Sequence, residues 1–592
     1  MRFLKGLILD EQQSSPQVSK RHLIGAIVVL LSCLPWLKSQ LSGSRLSKTA
    51  SEAPAGHIED VLQTRVSFKP RLGNGSLNDL TPTLDQIVPK LLEQQRIPGL
   101  AVIVVQGGKT VFQGGYGVAN VENKTPVDPE STLFRIGSVS KALTFLALTS
   151  LIDQGKLDRS ANVEQFVGDI QNLSGDIRPV TVDHLLTHTA GFDQIGTGRH
   201  IFEHHLGLKQ RMEKRPSLFE FLSTNLRRVS SPGELFRYDT YGTTLAGAII
   251  AKVTKKPYAD AMHQQLFEPL GMTKSSVEVI EEHRPDLATG YGWVNGQFVA
   301  QPYEVYVTTP ASSIDATPAD MGRLLEALTA DGANTNGRLL SEDANDAVLS
   351  PGFRCHPEFV GITHGFFESY TSQDGTTEKH LRTIGHGGSM NGYRSALTII
   401  PEKQVGIFIV ANRSPEAGGG TVDFRSLIDV VVDRFEDAPS QPKYAVVRSE
   451  GVDLAPYVGD YHYGVYCHAP TAKDLSSGAW RRPSPRVITA EKDVLVIGDE
   501  RFVPQGKDVF VQVEGERRVF FGRNRSGQVS HFVYSTSPDT FEKASTSLPY
   551  PQILSLAQRA VELSASEGMD RALEFLETNH DSESYYCDEQ EV

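Results

Sequence analysis

The sequence predicts an α/β (α+β) domain followed by a smaller β-barrel. A helical stretch after Ser138 is apolar nearly all round, which is typical of a buried helix. Two strand-like runs, 395–400 and 405–410, are joined by a short Pro401-to-Gln404 turn and predict neighbouring strands. Nearer the end of the chain, short β-rich runs alternate with Gly, Asp and Asn turns, a pattern typical of a small antiparallel barrel.

Composition limits the classes of function before any motif is considered. The chain has 592 residues, and 39% of them are hydrophobic, enough for a sizeable core. A formal net charge of -13 disfavours nucleic acid as a partner. The cysteines form no Cys-x-x-Cys pair, so neither a zinc site nor a dense disulfide framework is indicated.

Ser138 and Lys141 are three residues apart at the start of the apolar helix. On a helix this spacing places both side chains on one face, with Cβ atoms roughly 5 to 6 Å apart. Burial and the helix N-terminus both disfavour the charged lysine, so a neutral Lys141 is predicted to take the Ser138 proton. Ser140 faces elsewhere. A second Ser-x-x-Lys pattern, 440–443, contains Pro442 and is typical of a linker.

Two further segments contain side chains suited to the same chemistry. Tyr238 follows a Pro-Gly turn and precedes a helical pattern, and its alternative role is to cap the core. His386 lies in a glycine-rich segment, 385–393, directly before a predicted strand. These glycines could form only a turn, but backbone without side chains also lets a substrate approach closely.

Taken in order, the Ser138/Lys141, Tyr238 and His386 segments resemble the three motifs of the class C β-lactamase, penicillin-binding-protein and serine esterase superfamily. The resemblance extends over about residues 81 to 435. It implies a β-lactamase/penicillin-binding-protein-like domain at 81–436, with an antiparallel sheet flanked by helices, and D-aminopeptidases, carboxypeptidases and esterases among its relatives. Other segments that resemble the family are 116–119, 132–135, 184–192, 269–272 and 310–313.

One departure from the family pattern concerns the second motif. The family has Tyr-x-Asn where this chain has Tyr238, Asp239 and Thr240, so a hydroxyl replaces an amide. Thr240 still donates and accepts a hydrogen bond. The departure affects the expected substrate preference more than catalysis, and His386 in place of lysine is closer to esterase and peptidase relatives than to efficient β-lactamases.

The resemblance implies acyl transfer in two steps, with an acyl-enzyme on Ser138. Lys141 and Tyr238 would share the acid and base work. The backbone N–H groups of Ser138 and Ser389 would stabilise the oxyanion. The implied substrate is a small molecule or peptide with an amide or ester bond, and no cofactor or metal is expected. An acyltransferase and a non-catalytic binding or filament-forming protein remain as alternatives. The implied substrate-binding and oxyanion residues are Thr240, His386, Gly388 and Ser389.

The N-terminus predicts the location of the protein. Basic residues at 20–22 precede an apolar run, 23–37, that is shorter than the roughly 20 residues needed to span a bilayer comfortably. This pattern favours a signal peptide or signal anchor, followed by a disordered linker, over residues 1–56. A mitochondrial presequence is disfavoured by Asp10 and Glu11. We expect a secreted or membrane-anchored protein whose catalytic domain lies outside the cytoplasm.

The C-terminal quarter of the chain predicts a separate module. Residues 436–442 have the composition of a linker, and a β-barrel domain is predicted at 445–548. The segment 457–461 resembles the opening of a lipocalin-like domain. Residues 549–592 predict a helical and acidic tail. We expect the barrel to pack beside the catalytic domain without supplying its motif residues, and the oligomeric state is not predicted. Asn-x-Ser/Thr patterns, the acceptors of N-glycosylation, occur at Asn74, Asn123, Asn172, Asn412 and Asn524.

Overall fold

A computed structural model describes ten stretches of the chain, and the fold is given for these. Among the described residues no helix has both the length and the apolar character needed to cross a bilayer. The predicted N-terminal segment 1–56, the 436–442 linker and the 549–592 tail lie outside the described residues. The described residues are 77, 80–168, 178–193, 215–278, 285–372, 380–414, 422–435, 449–464, 485–515 and 517–544.

The larger domain is built on an antiparallel sheet of seven strands in the spatial order β3-β2-β1-β12-β11-β10-β9. Smaller sheets are formed by β4-β8-β5 and by β6-β7. The strands are β1 (Gly99–Gln106), β2 (Lys109–Asn120), β3 (Thr125–Pro126), β4 (Phe134–Arg135), β5 (Ser276–Val277), β6 (Tyr291–Val294), β7 (Gln297–Ala300), β8 (Ile314–Ala316), β9 (Phe367–Ser372), β10 (His380–Met390), β11 (Tyr393–Ile400) and β12 (Val405–Ala411).

Helices cover both faces of this sheet. The helices are α1 (Leu80–Gln95), α2 (Val139–Asp153), α3 (Glu164–Val167), α4 (Val182–Leu186), α5 (Leu218–Asn225), α6 (Thr240–Thr254), α7 (Tyr258–Met262), α8 (Glu268–Leu270), α9 (Thr309–Ser312), α10 (Pro318–Leu328), α11 (Glu342–Leu349) and α12 (Arg425–Val432). A π-helical turn, His263–Phe267, connects α7 to α8. This arrangement confirms the predicted α/β (α+β) fold with an antiparallel sheet flanked by helices.

Strand β1 shows why the sheet needs helices on both sides. Its alternate residues Ala101, Ile103 and Val105 belong to the core that includes α2 and α6. Leu100 and Val104 point to the opposite face and pack in a second core with α1 and α12. Since side chains alternate across a strand, an unbroken apolar run such as this one is buried on both faces.

The C-terminal domain is a closed antiparallel barrel, which confirms the predicted β-barrel. Its aromatic interior contains Tyr461, Phe510, Phe521 and Phe532. The strands are β13 (Gly459–Tyr463), β14 (Arg486–Glu491), β15 (Val494–Ile497), β16 (Glu500–Pro504), β17 (Val509–Gln512), β18 (Arg518–Arg523), β19 (Val529–Tyr534) and β20 (Thr540–Lys543).

The barrel contacts the larger domain through several polar groups. Arg518 forms an ion pair with Glu358 at 2.6 Å, and its guanidinium lies over the ring of Phe359. The backbone N–H of Val360 donates to the carbonyl of Ser535. Both domains are therefore in direct contact along the 358–360 segment.

Asn412, one of the Asn-x-Ser/Thr positions, lies in the core. Its side chain is fully buried, accepts a hydrogen bond from the N–H of Gly99 and donates to the carbonyls of Val118 and Ala119. A side chain bonded in this way cannot carry a glycan in the folded protein. Asn412 therefore has a structural role and is not a glycosylation site.

Candidate active site

Ser138 lies at the N-terminus of helix α2, directly after a tight turn. Gly137 has a φ of 56°, the left-handed region that favours glycine. A Cβ at this position would lie 2.9 Å from the backbone nitrogen of Ser389. The turn therefore brings the main chain at Ser138 beside the tip of the β10-β11 hairpin. Ser138 itself is half-buried and is the N-cap residue of the helix.

Lys141 occupies the next turn of α2 and points at Ser138. Its Nζ donates to Ser138 Oγ at 3.2 Å and to the carbonyl oxygen of Ala311 at 3.0 Å. The side chain is 2% exposed. Burial lowers the pKa of Lys141 to about 7, against the opposing effect of the negative charge of Asp239. A substantial fraction of this amine is therefore neutral at neutral pH.

Tyr238 approaches the same hydroxyl from another segment. Its side chain is hydrogen-bonded to Ser138, and Lys141 Nζ lies 4.8 Å from the centre of its ring. Burial raises the pKa of Tyr238 well above its usual value, and the bond to Ser138 opposes this only in part. Tyr238 is thus a neutral phenol at physiological pH, able to pass a proton but not to remain ionised.

Helix α6 begins immediately after Tyr238. Asp239 is its N-cap, and Asp239 Oδ1 accepts the N–H of Gly242 at 2.8 Å. A Cβ on Gly242 would lie 2.4 Å from Asp239 Oδ2, so a larger residue here would displace the capping carboxylate. Burial raises the pKa of Asp239 to about 7, against the opposing effect of the amide N–H groups that it accepts. Thr240 is the first helical residue and is 7% exposed.

The glycine-rich segment covers the end of β10 and the turn that follows, and it packs against the chain before Ser138. A Cβ on Gly388 would lie 2.1 Å from the carbonyl oxygen of Ile136. Ser395 Oγ, on the neighbouring strand, donates to that same carbonyl at 2.7 Å. The strand pair and the turn before Ser138 are thereby held together, with the backbone of Ser389 beside Gly137.

His386 is 5% exposed and packs against aromatic rings. Its ring centroid lies 5.8 Å from that of Tyr238 and 5.3 Å from that of Phe367. The ring Nδ1 is 2.6 Å from the carbonyl of Gly387. Burial and then the charge of Lys141 lower the pKa of His386 to about 3, so its imidazole is neutral. The structure places this residue beside Tyr238, and its role towards a substrate remains a proposal.

His188 belongs to the site but was not singled out by the sequence analysis. It is 1% exposed, and its φ of 54° is unusual for a residue with a side chain. Its ring packs 5.2 Å from the ring of Tyr238 and 5.4 Å from that of Phe145. Burial lowers its pKa well below the usual range. The available signal was its place in the family-like segment 184–192.

Ala311 and Ser140 make two further contacts at the start of α2. The Ala311 carbonyl that accepts Lys141 Nζ lies in the family-like segment 310–313, and a carbonyl leaves no signal in sequence. Ser140 is fully buried, and its Oγ accepts the N–H of Ile314 at 3.1 Å. Ser140 therefore links α2 to β8. The second Ser-x-x-Lys pattern, 440–443, lies outside the described residues.

Comparison with known proteins places this site in a family. Residues 84–431, more than half of the chain, match the family model described as Beta-lactamase. The chain belongs to the beta-lactamase family. This confirms the resemblance inferred from the Ser138, Tyr238 and His386 segments.

Individual relatives within this family are distant. Protein flp of Staphylococcus aureus (strain N315) is 24% identical over 341 residues, which are 57% of this chain and 64% of flp. The chain thus spans less than two thirds of the length of that relative. Esterase EstB of Burkholderia gladioli is 30% identical over 218 residues, 35% of this chain and 54% of EstB.

A solved structure shows the same fold. The crystal structure of SurE with D-Leu is 20% identical to this chain and superposes with a TM-score of 0.52. The alignment covers 78% of this chain and 99% of SurE. At this identity the likeness concerns the fold alone.

No group of His, Cys, Asp and Glu among the described residues is arranged to hold a metal ion.

Proposed function

We propose that this chain is a serine hydrolase that forms an acyl-enzyme on Ser138 and cleaves a carboxylic ester or an amide bond. The observation that carries the proposal is the pair formed by Ser138 Oγ and Lys141 Nζ, 3.2 Å apart. Burial lowers the pKa of Lys141 to about 7, near the pH at which a general base is most effective. A buried lysine with this pKa beside a hydroxyl suits proton removal better than structural support.

The first step forms a bond between Ser138 Oγ and the carbonyl carbon of the substrate. Lys141 accepts the hydroxyl proton, and the carbonyl electron pair moves to its oxygen as the tetrahedral intermediate forms. The backbone N–H groups of Ser138 and Ser389 would donate to that oxyanion. The main chain at these two residues is close together, because a Cβ added at Gly137 would lie only 2.9 Å from the Ser389 nitrogen. Each such donor contributes roughly 2.7 to 4 kcal/mol.

Tyr238 completes the proton path. Its hydroxyl bonds to Ser138 and, as a neutral phenol, gives its proton to the leaving alcohol or amine while it takes from protonated Lys141 the proton that came from Ser138. Collapse of the intermediate breaks the bond to the leaving group and leaves the acyl group on Ser138. Water then attacks the ester, with the same two side chains acting in reverse, and no step requires a metal or cofactor.

The third motif and one relative support a proposal for the substrate class. Beside Tyr238 this chain has neutral, buried His386 rather than a lysine cation, so a carboxylate-bearing β-lactam lacks a fixed positive partner at this position. The relative from Burkholderia gladioli is named an esterase. These points support small esters first and peptide-like amides second.

Location is proposed on the sequence alone. The basic residues 20–22 and the apolar run 23–37 support export or membrane anchoring, with the catalytic domain outside the cytoplasm. Fractionation of cells expressing the full chain, with protease added to intact cells, checks this. A catalytic domain that is protected inside intact cells would contradict it.

The function is tested by covalent labelling and by a substrate panel. We expect a fluorophosphonate probe to label the purified protein on the peptide that contains Ser138, and Ser138→Ala to remove both labelling and turnover with the fold intact. The panel comprises p-nitrophenyl esters, D- and L-amino-acid amides and a chromogenic cephalosporin. Ser440→Ala is the matched control and should behave as wild type. An adduct on any other peptide would exclude this mechanism.

A further inference from the structure

Arg237, the residue directly before Tyr238, connects the active-site segment to the barrel. Its Nη1 donates to the carbonyl oxygen of Gly464 at 3.0 Å, and its Nη2 pairs with the carboxylate of Glu542. The Arg237 side chain is 2% exposed and that of Glu542 14%. Both barrel residues lie more than 200 positions away along the chain, so this contact exists only when the two domains are packed together.

The barrel residues near Arg237 form a row on the outside of the barrel. His531, Glu542 and His462 are cross-strand neighbours on β19, β20 and β13. Their sequence neighbours Phe532 and Tyr461 fill the barrel interior, so the residues of the row point outwards. His462 and His531 are nevertheless buried. The larger domain therefore covers this part of the barrel wall.

Within this row, the carboxylate of Glu542 lies between His531 and His462. Burial and then the positive charge of Arg237 lower the pKa of His531 to about 4, so this histidine is neutral at neutral pH. Glu542 is the carboxylate that faces Arg237. A planar guanidinium bound at one nitrogen by a carbonyl and at another by a carboxylate has a defined orientation, unlike a lysine ammonium at the same position.

Such a pair is better suited to fixing a position than to adding stability. Removing two charges from water costs about as much as their attraction returns, so buried ion pairs are weak evidence of net stabilisation. The main chain of Arg237 is also fixed, since its N–H donates to the carbonyl of His188 at 2.8 Å. The next residue, Tyr238, is hydrogen-bonded to Ser138.

We propose that Glu542 of the barrel is a positioning residue for the active site, which acts through Arg237 to hold Tyr238 against Ser138. The effect of Glu542 on catalysis rests on the proposed function, whereas its effect on the position of Tyr238 does not. The C-terminal domain thereby contributes to the site without supplying a group that touches the substrate.

The test uses the full chain and three variants. Glu542→Gln removes the charge that faces Arg237, and Glu542→Asp retains a carboxylate. Glu358→Gln is the matched control, because it breaks the Arg518 ion pair between the same two domains without touching Arg237. For each protein we measure the rate of fluorophosphonate labelling of Ser138, kcat and KM for an ester, and hydrogen exchange of the peptide that covers 236–241.

We expect Glu542→Gln to lower the labelling rate and kcat by roughly 10- to 100-fold with little change in KM, as small misplacements of catalytic groups do. Exchange across 236–241 should accelerate in that variant and not in Glu358→Gln. Glu542→Asp should recover part of both. Wild-type labelling and wild-type exchange in a folded Glu542→Gln protein would overturn the proposal, as would equal effects from Glu358→Gln.

Two further measurements distinguish a failure of this proposal from misfolding and from a failure of the proposed function. If Glu542→Gln does not fold, the Arg237→Met/Glu542→Met double variant removes both charges and leaves none unpaired, so it should fold and still label slowly. Wild-type labelling in that double variant would also overturn the proposal. If the wild-type protein neither labels nor turns over, the proposed function fails, and the exchange of 236–241 alone decides whether Glu542 positions this segment.

Discussion

His188 Nδ1 accepts a hydrogen bond from the backbone N–H of Asp239 at 3.2 Å, and the His188 carbonyl accepts the N–H of Arg237 at 2.8 Å. One residue thus holds the main chain on both sides of Tyr238. Since the Asp239 bond is accepted at Nδ1, the neutral imidazole has its proton on Nε2. Position 188 therefore influences where the Tyr238 hydroxyl lies.

We predict that His188→Phe lowers kcat by about 10- to 100-fold, because it keeps the aromatic packing but removes the acceptor for the Asp239 N–H. The unpaired buried N–H should also cost about 1 to 3 kcal/mol of the free energy of unfolding. Steady-state kinetics and urea unfolding measure the two effects. His364→Phe, at another buried histidine, is the control and should leave kcat unchanged. Unchanged kcat in His188→Phe would show that Tyr238 is held by other contacts.

Activity should rise with pH through about 7 and then level off. The pKa of Lys141 is lowered to about 7 in the folded protein, so below this pH the amine is protonated and cannot accept the Ser138 proton. Lys141→Arg keeps the charge but gives up no proton, and should lose about 10²- to 10⁴-fold in turnover. Labelling rates between pH 5 and 9 check both statements. A flat profile, or wild-type turnover in Lys141→Arg, contradicts the role of this lysine.

Ser140→Ala should weaken the fold but not the chemistry. Ser140 Oγ accepts the N–H of Ile314 in the core, and losing that acceptor should cost about 1 to 3 kcal/mol of the free energy of unfolding. Labelling of Ser138 should persist at a comparable rate. Thermal unfolding and probe labelling of the same sample give the two measurements. Loss of labelling with unchanged stability would mean that Ser140 takes part in the reaction.

Small activated esters or peptide-like amides should be turned over better than cephalosporins. The second motif has the Thr240 hydroxyl where an amide is usual in the family, and the third motif has His386. Thr240→Asn restores the amide and should raise β-lactam acylation modestly. Comparison of kcat/KM across one panel decides this, and nitrocefin as the best substrate of the wild-type protein would contradict it.

The protein should lose stability on mild acidification. Burial lowers the pKa of His364 to about 4 and that of His386 to about 3, from an ordinary value of 6.5. Between these lowered pKa values and 6.5, the two histidines bind more protons in the unfolded chain than in the folded one. The free energy of unfolding therefore falls as pH drops below 6.5. His364 alone should contribute roughly 2 to 3 kcal/mol between pH 7 and pH 4. Urea unfolding at several pH values measures the slope, and His364→Phe should flatten it. An equal slope in that variant would contradict this origin.

Features set by local spacing were predictable from sequence. The three-residue interval between Ser138 and Lys141 predicts a shared helix face, and the structure places their side chains 3.2 Å apart on α2. The runs predicted at 395–400 and 405–410 form β11 and β12, and the alternating runs near the C-terminus form the closed barrel. Apolar periodicity and turn residues act over short distances, so a single sequence displays them.

Features set by tertiary packing were not predictable in the same way. His188 lies between two threonines with no distinctive spacing to the other site residues, and only the fold places it beside Tyr238. Ala311 contributes a backbone carbonyl, which every residue has. The Arg237 to Glu542 contact joins two domains. The assignment of Gly388 to the site came from family resemblance, whereas its contact with the Ile136 carbonyl came from the structure.

Strand β1 pairs with β2 on one side and with β12 on the other, so that Leu100 lies opposite Ala411. An early segment of the chain is thus completed by one synthesised some 300 residues later. A nascent chain cannot close this sheet until β12 has left the ribosome, and until then one hydrogen-bonding edge of β1 has no partner strand. The Ser138 turn likewise meets Gly388 and Ser389 only some 250 residues later, so a nascent chain contains Ser138 long before the candidate site is complete.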